Sequence, residues 1–165
     1  MKSTVYTIFK NNIDSLETWL HYTEQFDYRV ILDLGSTDGT YEQVQKINDS
    51  NLISCQKLIS DEEANDYILT LVPEDTDFIF QINSYEWFQL GTDERAKHLF
   101  YHNPTVNTIG CTRLDLNSYN VWNGPPNTEP HYRIHRYKST NNKSIFTDLI
   151  FIINNENCSI HNTEK

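Results

Sequence analysis

The chain has 165 residues, 38% of them hydrophobic and 13% aromatic, and carries a formal net charge of −10. That is enough chain for one domain with a real core, and too apolar for a disordered segment. The acidic balance, without any cluster of Lys and Arg, argues against nucleic acid and against an anionic membrane surface as partners.

Residues 5–9, VYTIF, form a compact β-rich run and read as the first strand. Lys10, Asn11 and Asn12 follow as a polar loop. Asp14 and Glu17 have capping-box spacing, and Leu16, Trp19 and Leu20 then fall at helical spacing. Val30, Ile31, Leu32 and Leu34 make a run long enough for a buried strand and too short for a helix. It enters a loop, Asp33 to Thr40, whose glycines, aspartates and hydroxyls suit turns, caps and polar ligands. Thr40 is placed to cap a helix opening at Tyr41, with Gln43 completing a capping box.

A short strand is expected within residues 52–59. Ser60 and Glu63 form a further capping box, and Ala64, Tyr67, Ile68 and Leu71 make an amphipathic stripe that Pro73 ends. Residues 78–82, FIFQI, are the next buried strand. Strands alternating with helices of this length imply βαβ units and a mainly parallel sheet.

Thr92 then caps a helix with Asp93 and Glu94 in its first turn. His98 and His102 stand at i, i+4 on it, either a metal pair or solvated surface. Residues 106–113 read as a strand. Residues 117–130 are a loop rich in Asn, Pro, Gly and Ser, in which Trp122 either stacks on a sugar ring or plugs the core. Residues 131–136 alternate like a strand. His131 and His135 share a face but lie roughly 13 Å apart, too far to chelate one ion. Arg133 lies on the same face, placed for a phosphate or for an ordinary ion pair. Residues 146–153 are the final apolar strand.

The three cysteines, Cys55, Cys111 and Cys158, are far apart with no CxxC, so neither a disulfide framework nor a zinc site is expected. No apolar run approaches the length of a membrane span, and the N-terminus enters a strand almost at once. The expected location is cytoplasmic.

Residues 28–40, YRVILDLGSTDGT, resemble the second strand and loop of family 2 glycosyltransferases, with their D-x-G-S-x-D-G-T run. Residues 5–20 resemble the family's opening, a strand ending in K-N-E before a helix carrying W-L, with Asn12 in place of the acidic residue. Ala64 and Asn65 resemble its Ala-Arg-Asn run without the arginine. The family's Asp-x-Asp-Glu segment falls on Asn83, Ser84, Tyr85 and Glu86, so only the glutamate survives. Arg133 and Arg136 resemble its R-x-x-R strand, and the tail around His161 its late I-x-H.

The resemblance implies a single α/β domain over residues 1–165, a three-layer α/β/α sandwich with a mainly parallel sheet, of the GT-A kind. Its nucleotide-binding half would be about residues 1–90 and its acceptor side about residues 91–165. The implied activity is transfer of a sugar from a nucleotide-diphosphate-sugar donor to a glycan or other hydroxyl acceptor. Phe9, Lys10 and Asn11 would form one wall of the nucleotide site. Asp33 would hydrogen-bond the base or ribose, Ser36 and Asp38 would set the loop, and Asn83 would border the nucleotide. Glu86 would be the surviving carboxylate, catalytic or holding Mn²⁺ or Mg²⁺ with His161. Asp148 is the nearest carboxylate for the acceptor hydroxyl, and Trp122 and Arg133 would meet the acceptor or a phosphate. Two alternatives stand beside this. One is a domain that binds a nucleotide, a sugar or a partner protein without turnover. The other is a metal-independent transferase that draws charge from Arg133 or Lys10.

Overall fold

The computed structural model describes residues 1–116, 127–139 and 143–154. In chain order the elements are β1 (Ser3–Phe9), α1 (Ile13–Thr23), β2 (Tyr28–Asp33), α2 (Thr40–Gln45), β3 (Leu52–Gln56), α3 (Asp61–Leu69) and β4 (Phe78–Gln81). They are followed by β5 (Glu86–Phe88), α4 (Thr92–His102), β6 (Thr108–Leu116), β7 (Asn127–Arg136) and β8 (Ser144–Asn154). Trp122 and His161 lie outside the described residues. Among those described, no helix is long and apolar enough to cross a membrane.

All strands join one sheet in the order β3-β2-β1-β4-β7-β6-β8-β5. β3, β2, β1 and β4 run parallel, β7 is antiparallel to β4 and β6, β8 is parallel to β6, and β5 closes the edge antiparallel to β8. The sheet is therefore mixed and mainly parallel, with the alternating half at the amino end.

Strand alternation sorts side chains onto two faces. Val5, Phe9, Ile31, Phe78 and Phe80 pack with Leu16 and Trp19 of α1, Val44 of α2, and Ala96 and Phe100 of α4. Tyr6, Val30, Leu32 and Ile79 face the other way, onto Ala64 and Ile68 of α3. Helices on both faces make the three layers. Trp19 fixes α1 to the sheet in two ways: its ring meets Phe9 edge-on at 5.6 Å, and Nε1 donates to Thr7 Oγ1 at 2.7 Å. Thr7 Oγ1 in turn donates to the Ile82 carbonyl at 3.0 Å, so the exit of β4 is tied to β1.

Three caps differ from the local reading. The Asp14/Glu17 box does not form; Asn12 is the N-cap of α1 without a side-chain cap bond, and Asp38 from the β2–α2 loop accepts from the Ile13 amide instead, at 3.0 Å. α2 begins at Thr40 behind Gly39 in the left-handed region (φ 93°), and Asp38 again supplies the acceptor, taking the Thr40 amide at 3.0 Å. α4 is capped by Gly91 (φ 90°), with Thr92 buried inside its first turn. In the first two cases a carboxylate on the loop outcompetes the nearer cap. The Ser60/Glu63 box forms as its spacing predicts. β5 has no clear signal in the sequence: its three residues gain strand geometry only by pairing with β8.

Candidate functional site

The chain steps from β1 out to β2 and β3, then returns across β1 to lay down β4. In open α/β sheets, a crevice opens outside the carboxyl ends of the strands where the order reverses in this way. Here that crevice is bordered by Lys10 and Asn11 after β1, Asp33 to Gly39 after β2, and Asn83 to Glu86 after β4. In the β1–β4 register Tyr6 lies beside Gln81, and its continuation brings Asn83 level with Ile8, just short of Lys10.

Asp33 is fully buried and its carboxylate is saturated from within. Oδ1 accepts the amides of Gly35 and Ser36 at 2.9 and 2.8 Å and Gln56 Nε2 at 3.0 Å; Oδ2 accepts Ser36 Oγ at 2.6 Å. The chain can turn so tightly because Gly35 adopts φ 99°, a conformation L side chains rarely take. Asp33 thus shapes the loop rather than offering a free oxygen to the crevice.

The loop is laced to its neighbour. Ser36 Oγ accepts the Asn11 amide at 2.9 Å, Asn11 Oδ1 accepts the Thr37 amide at 2.7 Å, and Asp38 holds Ile13. Asn11 pays for this position with φ 55°, a left-handed conformation that Asn tolerates better than most residues. Burial works against the charge on Asp38, but the Thr40 hydroxyl and the amides of Ile13 and Thr40 outweigh it and hold its pKa below the usual carboxylate value. Phe9, assigned to the nucleotide wall, turns its side chain fully into the core; only its carbonyl, which accepts from Leu34, borders the loop. Lys10 is exposed, and among the described residues its ammonium has no ion pair.

At the β4 corner Glu86 is buried at 2% exposure. Its Oε2 accepts the Asn83 amide at 3.0 Å and Arg133 Nη1 at 2.9 Å; its Oε1 accepts Asn83 Nδ2 at 3.2 Å and Arg133 Nη2 at 3.3 Å. Arg133, reaching from β7, lays its guanidinium 4.9 Å from the Phe151 ring centroid. Glu86, Asn83, Arg133, Asn11, Asp33, Ser36 and Asp38 therefore gather at one end of the sheet. Asp148 is drawn elsewhere, to Arg95 on α4 at 2.6 Å, with its side chain 82% exposed. His98 and His102 have their ring centroids 4.3 Å apart on α4, away from this end. A groove of about 410 Å³ runs from Lys57, just beyond β3, along Glu63, Asp66, Tyr67 and Thr70 of the α3 side. The Lys57 amide donates to the Asp33 carbonyl, so the groove starts next to the loop. In the sequence Glu63 and Tyr67 read only as a cap and a core stripe of α3, and nothing local marks the groove they line.

A divalent Mn²⁺ or Mg²⁺ asks for about six oxygen ligands, with carboxylates foremost among those a protein supplies. The four hydrogen bonds on Glu86 occupy the directions such an ion would need. Asn83 and Tyr85 bring no second carboxylate. Among the described residues, no three His, Cys, Asp or Glu side chains come together as a ligand set. The described residues do not fit the metal that the resemblance implies.

No protein-family model matches the sequence, and no curated protein matches it. Solved structures do match. Staphylococcus aureus TarS superposes with a TM-score of 0.59 at 18% identity, over 76% of this chain and 23% of that one. TarS 1-349 in complex with UDP-GlcNAc gives 0.59 at 18% identity, over 78% of this chain and 38% of that one. The mannosyltransferase PcManGT from Pyrobaculum calidifontis, in complex with GDP-Man and Mn²⁺, gives 0.58 at 20% identity, over 67% of this chain and 35% of that one. The fold is thus α/β and similar to that of GT-A glycosyltransferases over most of the chain, while the chain spans well under half the length of each of these structures.

Proposed function

We propose that this chain binds a nucleoside-diphosphate sugar in the crevice at the carboxyl ends of β1, β2 and β4, and transfers the sugar to a hydroxyl acceptor. The observation that carries this reading is the lacing of two loops, Asn11 to Ser36 and Thr37, and Asp38 to Ile13, at the point where the strand order reverses. A pre-formed pair of polar loops at that point suits a nucleotide, since ligands of open α/β sheets bind there. The named ligands of the similar structures, UDP-GlcNAc and GDP-Man, support the same class of donor.

In this reading Asp33 and Ser36 hold the loop in shape and the groove-facing backbone meets the nucleoside. Lys10 meets the diphosphate from the β1 side. Catalysis would consist mainly of positioning and of stabilising charge on the departing diphosphate. A second reading, binding without turnover, is favoured by one specific feature: Glu86, the surviving carboxylate, is already neutralised by Arg133.

The test is calorimetric titration with uridine, guanosine, cytidine and thymidine diphosphates, followed by an assay of sugar release from the matching nucleotide sugar. Binding of one diphosphate that weakens in Lys10→Ala supports the site. Binding with sugar transfer supports the transferase, and binding without it the second reading. If no diphosphate binds, the crevice is not a nucleotide site.

A further inference from the structure

We propose that the Arg133 guanidinium stands where a divalent cation would otherwise serve, so that the diphosphate is held by arginine and its binding needs no metal. This rests on the nucleotide-binding reading above and specifies how that site handles charge.

The first observation is the occupancy of Glu86. Glu86 accepts four hydrogen bonds, two of them from Arg133. A cation at Glu86 would have to displace the guanidinium or sit against it. In a site this buried, like charges in contact are strongly unfavourable.

The second is charge. A dication between two carboxylates is neutral as a unit, and so is one guanidinium against one carboxylate. At the positions that the resemblance gives to aspartates stand Asn83 and Tyr85, so Glu86 is the one carboxylate of this segment. Arg133 balances its charge, so the corner presents directed N–H donors without surplus negative charge.

The third is geometry. Arg133 is held on two sides, by the Glu86 fork and by the Phe151 ring. A guanidinium has five N–H donors, and among the described residues Glu86 takes one from each terminal nitrogen. Among the described residues the other three take no partner, and they suit the paired contacts with phosphate that arginine favours. The guanidinium also acts on β1: burial raises the Tyr6 pKa, and the charge of Arg133 counteracts part of that rise. Glu86, which Arg133 grips, also holds the amide and side chain of Asn83 at the exit of β4, so the cation lies beside the crevice.

The experiment is titration of the wild-type chain with the four nucleoside diphosphates, once in EDTA and once in excess Mn²⁺, and then of Arg133→Lys. Lysine keeps the charge but loses the fork. The expected result is binding in EDTA that Mn²⁺ leaves unchanged, weakened about tenfold in Arg133→Lys. Binding that appears only with Mn²⁺ overturns the proposal and leaves nucleotide binding standing. A folded Arg133→Lys chain that binds as tightly as wild type also overturns it. Absence of binding in both conditions overturns the nucleotide reading itself. Should Arg133→Lys fail to fold, the comparison of EDTA with Mn²⁺ on wild type still decides.

Discussion

Arg133 of β7 and Glu86 of the β4–β5 corner form a two-point ion pair, Nη1 to Oε2 at 2.9 Å and Nη2 to Oε1 at 3.3 Å, with the glutamate side chain only 3% exposed. Breaking such a pair from one side leaves a buried charge unpaired. Arg133→Met should therefore destabilise the fold by about 3–5 kcal/mol, whereas Arg133→Met with Glu86→Gln should recover much of the loss. Urea unfolding of the three chains measures this; a single variant no less stable than the double would show that the pair is not the anchor of this corner.

Asp33 accepts from three donors inside its own loop and a fourth, Gln56 Nε2, at the end of β3. Asp33→Ala strands the buried Ser36 amide and the half-buried Gly35 amide, and should cost about 2–4 kcal/mol by urea unfolding. Asp33→Asn keeps one carbonyl oxygen for those amides and should cost about half as much. Equal stability for all three would mean that the loop keeps its shape without the carboxylate.

Much of the architecture is legible in the sequence, because the strands at residues 5–9, 30–34 and 78–82 are short apolar runs and α3 has a clean box and stripe. The glycines and aspartates of residues 33–40 also mark a turn, which the structure places between β2 and α2. What the chain does not reveal locally is which partner each polar residue takes. Asp38 caps α1 and α2 at once, a long-range choice that no i, i+3 spacing encodes. Arg133 and Glu86 are 47 residues apart, and only the antiparallel return of β7 alongside β4 brings them together. The resemblance reads Phe9 as part of the nucleotide wall, whereas its full burial and T-shaped contact with Trp19 assign its side chain to the core.

Cys111 lies fully buried on β6, and burial pushes its thiol up to about 12. The thiolate is the reactive form, so Cys111 should resist iodoacetamide in the folded protein at neutral pH and react on unfolding. Cys55 is half-buried and should be alkylated first. Peptide mapping by mass spectrometry separates the two sites. Rapid native labelling of Cys111 would mean that the β6–β8 region opens far more readily than its packing indicates.

Asp93 on α4 and Asp27 before β2 share Lys97, at 2.9 and 2.7 Å, and the two carboxylates respond in opposite directions. For Asp27 burial raises the pKa, but the hydrogen bonds from Lys97 and Ser3 outweigh it and the net shift is downward. For Asp93 burial wins over Lys97 and the pKa rises. Its Oδ1 is buried without a hydrogen-bond partner among the described residues, which fits that penalty. A raised carboxylate pKa means the folded state takes up the proton before the unfolded state does. The ionised form of Asp93 therefore works against folding above its folded pKa, and that burden is relieved as pH falls through it towards the unfolded value of about 3.9. Asp93→Asn removes the burden at neutral pH but gains nothing once wild-type Asp93 is protonated. The stability of Asp93→Asn relative to wild type should thus fall as pH drops from 7 towards 4, read from urea midpoints across that range. Asp27 contributes the reverse trend to both chains, since its stabilisation is present above the unfolded pKa and is lost as pH falls through the lower folded value; it largely cancels in the comparison. A difference between variant and wild type that stays flat with pH would show that Lys97, not burial, governs Asp93.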